Sequence, residues 1–345
     1  MPSVSPAGGA QHFRSGNPVP SHAAYPTGLM AAMVRRWWGT LGAMSTDSEI
    51  SITGVVVGFD GSPSSLLALE WAADAAVAYG RPLTLLRARP DAEGEVTEVD
   101  ADEAAQLLGE EQAELLEDAA QRIVASRPGL DVHVVVHPDS PVEALLDASR
   151  SADLIVLGSR GTEGFRGLLL GSTVMNVAPL SGCPVVVLYV PDEDADIARA
   201  NARHPADVVV GYDGSESAGL ALGFGLRHAA ATGRGVAVVV VAKGRASVAP
   251  AVQVSSGGQG LPDHIRQLLR AASEVADSHP GVPVTYWYGV GRPAGVLIAE
   301  GSGSPLAVVG ARGVGGLAGL LLGSVGLQML MHAECPVALV HPSSA

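Results

Sequence analysis

The feature that most constrains this chain is an internal repeat. Three short segments occur twice, in the same order, at offsets of 153, 152 and 152 residues. The pairs are Val55–Ser62 with Val208–Ser215, Asp153–Gly161 with Pro305–Gly313, and Gly182–Val185 with Glu334–Val337. Segments that keep one spacing to within a single residue indicate a tandem duplication of a whole domain. The chain is therefore expected to fold as two similar units, called copy one and copy two below.

Each copy alternates short runs of Val, Ile and Leu with longer segments of helical pattern, which is typical of βαβ units around a buried parallel sheet. In copy one the predicted strands are Gly54–Gly58, Pro82–Arg87, Asp131–Val136, Leu154–Gly158 and Pro184–Tyr189. The predicted helices are Ser64–Tyr79, Ala101–Ala125, Pro141–Ser149 and Ser172–Leu180. Copy two follows the same order from Val208 to Val340. The predicted fold class is α/β, with a five-stranded parallel sheet flanked by helices in each copy.

The composition excludes several classes of partner. The formal net charge is −14 and no Lys-rich or Arg-rich run is present, so we expect no binding to nucleic acid or to an anionic bilayer. Lys243 is the single lysine, and it lies in no Walker loop. No window reaches the roughly 18 unbroken apolar residues that a membrane helix needs. We therefore predict a soluble protein without a P-loop.

Two cysteines, Cys183 and Cys335, are too few for a disulfide framework, which favours a reducing, cytoplasmic compartment. Each lies beside a predicted buried strand without a paired base, so packing is the expected role. The predicted domains are 52–190 and 206–342, joined by a linker at 191–205. Residues 1–51 are interpreted as a disordered N-terminal extension, with Met44 as a candidate alternative start, and residues 343–345 as a tail.

The same glycine pattern follows the fourth predicted strand of each copy. Its members are Gly158, Gly161, Gly171 and Ser172 in copy one, and Gly310, Gly313, Gly323 and Ser324 in copy two. Glycines let the backbone approach phosphate oxygens, and a helix N-terminus offers unpaired N–H groups and a positive dipole end. Arg160 and Arg312 could add positive charge. The pattern predicts a phosphate-binding loop in each copy; the alternative is that the glycines only permit tight turns.

An aspartate follows the first predicted strand of each copy, at Asp60 and Asp213. In open parallel sheets, ligands bind beyond the carboxyl ends of the strands, where the loops after strands one and four converge. A carboxylate there can accept hydrogen bonds from an adenosine moiety. The alternative is that Asp60 caps the following helix, and the two roles are compatible.

Three further patterns have simpler interpretations. Gly289–Ala294 fits a dinucleotide pattern, but copy one lacks it and no acid ends the next strand, so we expect no such site. His133 and His137 would lie about 13 Å apart along a strand, too far to share a metal. Residues 91–118 carry twelve acids and no base, which we interpret as a solvated helix face.

These residues resemble the ATP-binding branch of the universal stress proteins, which is marked by Gly-x2-Gly-x9-Gly-Ser/Thr late in the domain. The resemblance covers residues 52–190 and 206–342. It implies two tandem Rossmann-like domains of the adenine nucleotide alpha hydrolase-like kind, with ATP as ligand, with or without Mg²⁺. The chain departs from the family at its N-terminal extension and at the glycine-rich loop Gly244–Leu261, where the family often has helix.

The resemblance also implies roles for individual residues. On the nucleoside side the carboxylates would contact adenine or ribose, the strand-two residues would meet adenine through backbone groups, and the glycines would lie beside them. These residues are Gly58, Asp60, Ala88 and Gly158, matched by Gly211, Asp213, Val241 and Gly310. The phosphates would be held by Gly161, Gly171, Ser172 and Thr173, matched by Gly313, Gly323, Ser324 and Val325.

For assembly and function, the resemblance implies that the fifth strands, Val185–Tyr189 and Val337–Val340, pair within one chain as an intramolecular pseudo-dimer, and it allows a homodimer. It favours a nucleotide-responsive regulator of the stress response that acts on an unidentified protein partner. Neither copy shows a general base with an orienting partner or a metal-binding acid cluster beside the loop, so no catalytic residue and no metal site is predicted. The alternatives are a weak ATPase, or an interaction or chaperone-like module that no longer binds nucleotide.

Overall fold

The computed structural model describes residues 52–89, 97–161, 170–190, 202–244, 250–314 and 322–342. The predicted N-terminal extension, residues 191–201 of the predicted linker and the tail lie outside these ranges. The described residues form one 12-stranded sheet with helices on both faces. Among them, no helix is both long and apolar enough to cross a membrane.

Copy one contributes six strands and five helices to the described structure. The strands are β1 (Val55–Gly58), β2 (Leu83–Ala88), β3 (Thr97–Glu98), β4 (Val132–His137), β5 (Leu154–Gly158) and β6 (Val185–Leu188). The helices are α1 (Pro63–Tyr79), α2 (Ala101–Leu108), α3 (Glu110–Ser126), α4 (Pro141–Ala148) and α5 (Ser172–Val177).

Copy two contributes six strands and four helices. The strands are β7 (Asp207–Gly211), β8 (Gly235–Lys243), β9 (Val252–Val254), β10 (Val284–Gly291), β11 (Leu306–Gly310) and β12 (Val337–Val340). The helices are α6 (Glu216–Thr232), α7 (Asp263–Ala276), α8 (Pro293–Gly301) and α9 (Ser324–His332).

The strand order shows how the two copies join. It runs β3-β4-β2-β1-β5-β6-β12-β11-β7-β8-β10-β9, so copy two repeats the order of copy one in reverse. Within each half the five main strands are parallel. At the centre, β6 pairs antiparallel with β12, with Val186 opposite Ala338. The α/β fold class is confirmed, and the fifth strands of the two copies pair as the resemblance implied.

Alternate residues of the strands face two separate cores, as the unbroken apolar runs predict. On β1, Val55 and Val57 face the core under α1, α2, α3, α6 and α7, and Val56 faces the core under α4, α5, α8 and α9. All three valines are fully buried. Burial on both faces leaves the loops at the strand ends as the place where the sheet can offer polar groups to a ligand.

The helices α1 and α6 pack together across the junction of the two copies. The Trp71 ring stacks on His228 with centroids 5.5 Å apart, and the Tyr79 hydroxyl shares a hydrogen bond of 2.7 Å with Nδ1 of His228. Phe224, the counterpart of Trp71 in the repeat, stacks on the same imidazole at 6.3 Å. A single buried histidine thus lies between aromatic side chains of both copies.

The structure differs from the sequence prediction in two places. The predicted helix Ala101–Ala125 is two helices, because Gly109 between them has φ of 85°, a left-handed conformation that glycine adopts without strain. Each half of the sheet also gains a short antiparallel edge strand, β3 on β4 and β9 on β10. Strands of two and three residues are too short to give a periodic sequence signal.

Candidate functional site

The candidate sites lie where the strand order reverses within each copy. β1 is flanked by β2 and β5, and β7 by β8 and β11, all parallel, so their carboxyl ends meet at one edge of the sheet. Crevices at such reversal points are where open α/β sheets bind ligands. Site one is the crevice beyond β1 and β5, and site two is the crevice beyond β7 and β11.

The structure brings the predicted carboxylate and glycine loop together in both copies. A Cβ added at Gly161 would lie 2.7 Å from Oδ2 of Asp60, and one added at Gly313 would lie 2.5 Å from Oδ2 of Asp213. The N–H of Val314 also donates to Oδ2 of Asp213 at 3.1 Å. A side chain at either glycine would therefore collide with the carboxylate.

The other carboxylate oxygen orients the start of the next helix. Oδ1 of Asp60 accepts the N–H of Ser62 at 2.9 Å, and Oδ1 of Asp213 accepts that of Ser215 at 3.0 Å. The serines are the N-caps, since each accepts the N–H three residues on, at 3.2 Å in both copies. The hypothesis that Asp60 itself caps α1 is therefore wrong; it fixes the residue that does.

Serine hydroxyls tie the two loops of each site together. Ser62 Oγ donates to the carbonyl of Arg160 at 3.1 Å, and Ser64 Oγ donates to the same oxygen. In copy two, Ser215 Oγ donates to the carbonyl of Arg312 at 3.3 Å. Sequence reasoning did not assign these serines to the site, although the repeated Asp-Gly-Ser segment was the signal that could have found two of them.

Two pairs of predicted site glycines are required by close packing. A Cβ at Gly158 would lie 2.5 Å from Ser64 Oγ in the first turn of α1, and one at Gly310 would lie 2.7 Å from the backbone of Ser217 in the first turn of α6. A Cβ at Gly58 would meet Leu157 at 2.8 Å, and one at Gly211 would meet Leu297 at 2.7 Å. Close packing alone therefore requires glycine at these four positions, which supports the alternative of a structural role for them. A structural role does not exclude a ligand contact at the same residues.

The start of the following helix lies against the same loop. The N–H of Gly171 donates to the carbonyl of Ser159 at 2.7 Å, and that of Gly323 donates to Ala311 at 2.7 Å. Both glycines are helix N-caps without a side-chain hydrogen bond. Beside them, Thr173 and Val325 are half-buried. The exposed site residues are Arg160, Gly161 and Ser172, matched by Arg312, Gly313 and Ser324. The loop interiors, 162–169 and 315–321, lie outside the described residues.

Backbone hydrogen bonds fix the direction of the strand-two residues. The N–H of Phe59 donates to Leu86 and the N–H of Arg89 donates to His137, so the alternation of a strand turns the polar groups of Ala88 toward the space beyond β1. Tyr212 and Gly244 make the equivalent bonds to Val239 and Gly291. The backbone groups of Val241 therefore face the space beyond β7, as those of Ala88 face the space beyond β1.

Copy two contains a buried ionic cluster that the sequence did not predict. It lies on the strand-two side of that copy. Glu300 is 1% exposed and accepts from Arg203 Nη1 at 2.9 Å, His204 Nε2 at 3.0 Å and the N–H of Ala251 at 2.8 Å. Burial alone would raise the pKa of Glu300, but the bonds from His204 and Ala251 and the charge of Arg203 lower it. The cluster holds the end of the linker against the loop Gly244–Leu261.

The remaining candidate residues take structural roles. His133 contacts Glu98 at 2.7 Å, and no group of three metal-ligating side chains occurs among the described residues. Cys183 and Cys335 are both buried without a disulfide partner, and burial raises their thiol pKa values to about 11 and about 12, respectively. Both thiols thus stay protonated near neutral pH, in agreement with the packing role.

Residues 52–189 and 206–341 match a family model described as Universal stress protein family. Universal stress protein Rv2623 of Mycobacterium tuberculosis is 31% identical over 302 residues, covering 85% of this chain and 98% of the relative. A universal stress protein of Mycolicibacterium smegmatis is 31% identical, covering 84% and 97%. A solved universal stress protein from Archaeoglobus fulgidus shares the fold, with a TM-score of 0.59 and 23% identity over 85% of this chain and 99% of that one.

Proposed function

Because this chain belongs to the universal stress protein family, we propose that it binds ATP at sites one and two and acts as a nucleotide-responsive regulator in the stress response. The observation that carries the proposal is the close approach of the Asp60 carboxylate to Gly161, repeated by Asp213 and Gly313, which leaves no room for a side chain at either glycine. Each contact places a hydrogen-bond acceptor beside a glycine loop at a strand-order reversal, where a nucleoside and its phosphates can be held together.

Each residue class has a proposed role. The carboxylates accept hydrogen bonds from ribose or adenine, and backbone groups of Ala88 and Val241 recognise the base edge. The uncapped N-termini of α5 and α9 and their loop glycines donate N–H groups to the phosphates. Arg160 and Arg312 supply local positive charge to a chain whose net charge is −14. When Mg²⁺ accompanies ATP, it would be held chiefly by phosphate oxygens and water.

The proposal includes an organisation and a setting. The two domains are 52–190 and 206–342, and the protein works in the cytoplasm. ATP occupancy orders the glycine loops and thereby changes the surface offered to a protein partner or to a second chain. The lack of an assigned general base beside either loop, among the described residues, favours binding over turnover.

The test is native mass spectrometry with ATP and Mg²⁺, counting nucleotides per chain. We expect two for the parent, one for Gly161→Val, one for Gly313→Val and none for the double variant, because each valine would collide with a site carboxylate. Gly281→Val is the matched control, since a Cβ there meets no atom within 4 Å, and it should retain two.

The same samples separate the alternatives. Phosphate release that disappears in the double variant would favour a weak ATPase. A parent chain that binds no nucleotide at saturating ATP would overturn the proposal and leave an interaction or chaperone-like module.

A further inference from the structure

Tyr189 extends from copy one into copy two. It follows β6, and its hydroxyl donates to the carbonyl of Leu330, in α9, at 2.8 Å. α9 begins at Ser324, directly after the glycine that closes the loop of site two. A side chain of copy one thus contacts the helix that forms the phosphate side of the other copy's site.

The same segment supports site one. The carbonyl of Leu188, the residue before Tyr189, accepts the N–H of Ser159 at 2.7 Å. Ser159 begins the loop that contains Arg160 and Gly161. Tyr189 therefore directly follows the residue that is hydrogen-bonded to the loop of site one, and its own side chain contacts helix α9 of site two.

The hydrogen bond from the Tyr189 hydroxyl supplies a donor to a backbone carbonyl that has none within α9. Leu330 lies in the last turn of α9, where carbonyls have no intrahelical donor. Burial raises the pKa of the Tyr189 phenol far above its usual value, with a smaller contribution from Cys335, so the hydroxyl stays protonated and can donate. The hydroxyl acts as a tertiary cap on the C-terminus of α9.

The repeat provides a comparison for this contact. The counterpart of Tyr189 is His341, which follows β12 and lies close to the backbone of Ala178, the counterpart of Leu330. Neither ring nitrogen of His341 makes a hydrogen bond among the described residues. The two helices differ accordingly: α5 ends at Val177, whereas α9 continues for a further turn that contains Leu330.

We propose that Tyr189 is a positioning residue of site two, supplied by copy one, and that it links the occupancy of the two sites. The inference rests on the proposed nucleotide binding at site two. Since Tyr189 directly follows Leu188, which is hydrogen-bonded to Ser159, a nucleotide that restrains Ser159–Gly161 in site one also restrains α9 through Tyr189. By linkage, occupancy of either site then raises the affinity of the other by the same factor.

The test isolates each site with the valine variants. With Gly161→Val only site two binds, and Tyr189→Phe in that background should weaken ATP binding by roughly three- to tenfold, the effect of one neutral hydrogen bond. With Gly313→Val only site one binds, and Tyr189→Phe should leave its affinity unchanged. His341→Phe, the matched control, should change neither affinity. Unchanged binding at site two, or equal weakening at both sites, would overturn the inference.

A measurement without nucleotide keeps the inference separate from the proposed function. In hydrogen exchange of the full chain, Tyr189→Phe should accelerate the amides at the end of α9 and leave those of α5 at the parent rate. If the parent binds no ATP, the proposed function fails and this measurement alone decides the positioning role. Equal exchange of α9 in parent and variant would contradict it.

Discussion

Copy one and copy two build the same site and surround it differently. In both copies a leucine packs closely against the glycine that follows the site aspartate. A Cβ at Gly61 would collide with Leu115 of α3, and one at Gly214 would collide with Leu268 of α7, although these two helices differ in sequence. In copy one, Arg87 then bonds the carbonyl of Phe59 and the side chain of Gln112, whereas copy two has Val240 at that position. Copy two instead has the Glu300 cluster. The residues that shape the crevice are thus duplicated, whereas these neighbouring contacts differ between the copies.

The largest expected effect comes from giving copy two the residue of copy one. Glu300 corresponds to Ala148 in the repeat, and Glu300→Ala would leave Arg203 and the buried His204 without their carboxylate. We expect the free energy of unfolding to fall by about 3 to 5 kcal/mol. Denaturant unfolding measures it, and Glu111→Ala, an exposed acid of α3, should change it by less than about 0.5 kcal/mol. A small loss in Glu300→Ala would show that the cluster is not essential to copy two.

The second prediction concerns the helix junction, where His228 corresponds to Ala75. Burial, with a smaller contribution from Arg234, lowers the pKa of His228 from 6.5 to about 4. The unfolded chain therefore takes up this proton at a higher pH than the folded chain. The free energy of unfolding should fall as the pH drops from about 6.5 to about 4, by about 3 kcal/mol from this group.

His228→Ala, which again gives copy two the residue of copy one, should remove the part of the pH dependence of the unfolding free energy that comes from this histidine. Its unfolding free energy starts lower because the stacking with Trp71 is lost, but it should depend less on pH across this window. Parallel pH profiles of the two proteins would rule out His228 as the source.

The smallest expected effect concerns the two N-cap serines, Ser62 of α1 and Ser215 of α6. Each serine bonds the N–H three residues on and the carbonyl of the site arginine, but Ser62 is 2% exposed whereas Ser215 is only half-buried. Replacing either by alanine should cost about 1 kcal/mol of stability, with the larger loss for Ser62→Ala. Thermal unfolding of the two variants gives the order. A larger loss for Ser215→Ala would mean that burial does not distinguish the two helix starts.

The repeat explains what could be predicted from sequence. Asp60 and Asp213, with their glycine loops, stood out because each pattern occurs twice, and the order of strands and helices placed them at one edge. Glu300 and Tyr189 have no counterpart of the same type, and their partners lie far away in sequence, so no local pattern marks them. The break at Gly109 was missed because a single glycine inside a helical pattern is tolerated, at a cost of about 1 kcal/mol relative to alanine, and does not by itself predict a helix end.

The antiparallel pairing of β6 with β12 also determines how this chain can meet other sheets. A fifth strand left unpaired would present a row of free N–H and C=O groups, which invites pairing with another chain. Here the two fifth strands cover each other, and the open edges of the described sheet are β3 and β9, of two and three residues. Edges this short are poor templates for further strand addition. Addition of a strand to β3 or β9 is therefore disfavoured, which favours contacts through helices and loops in any larger assembly.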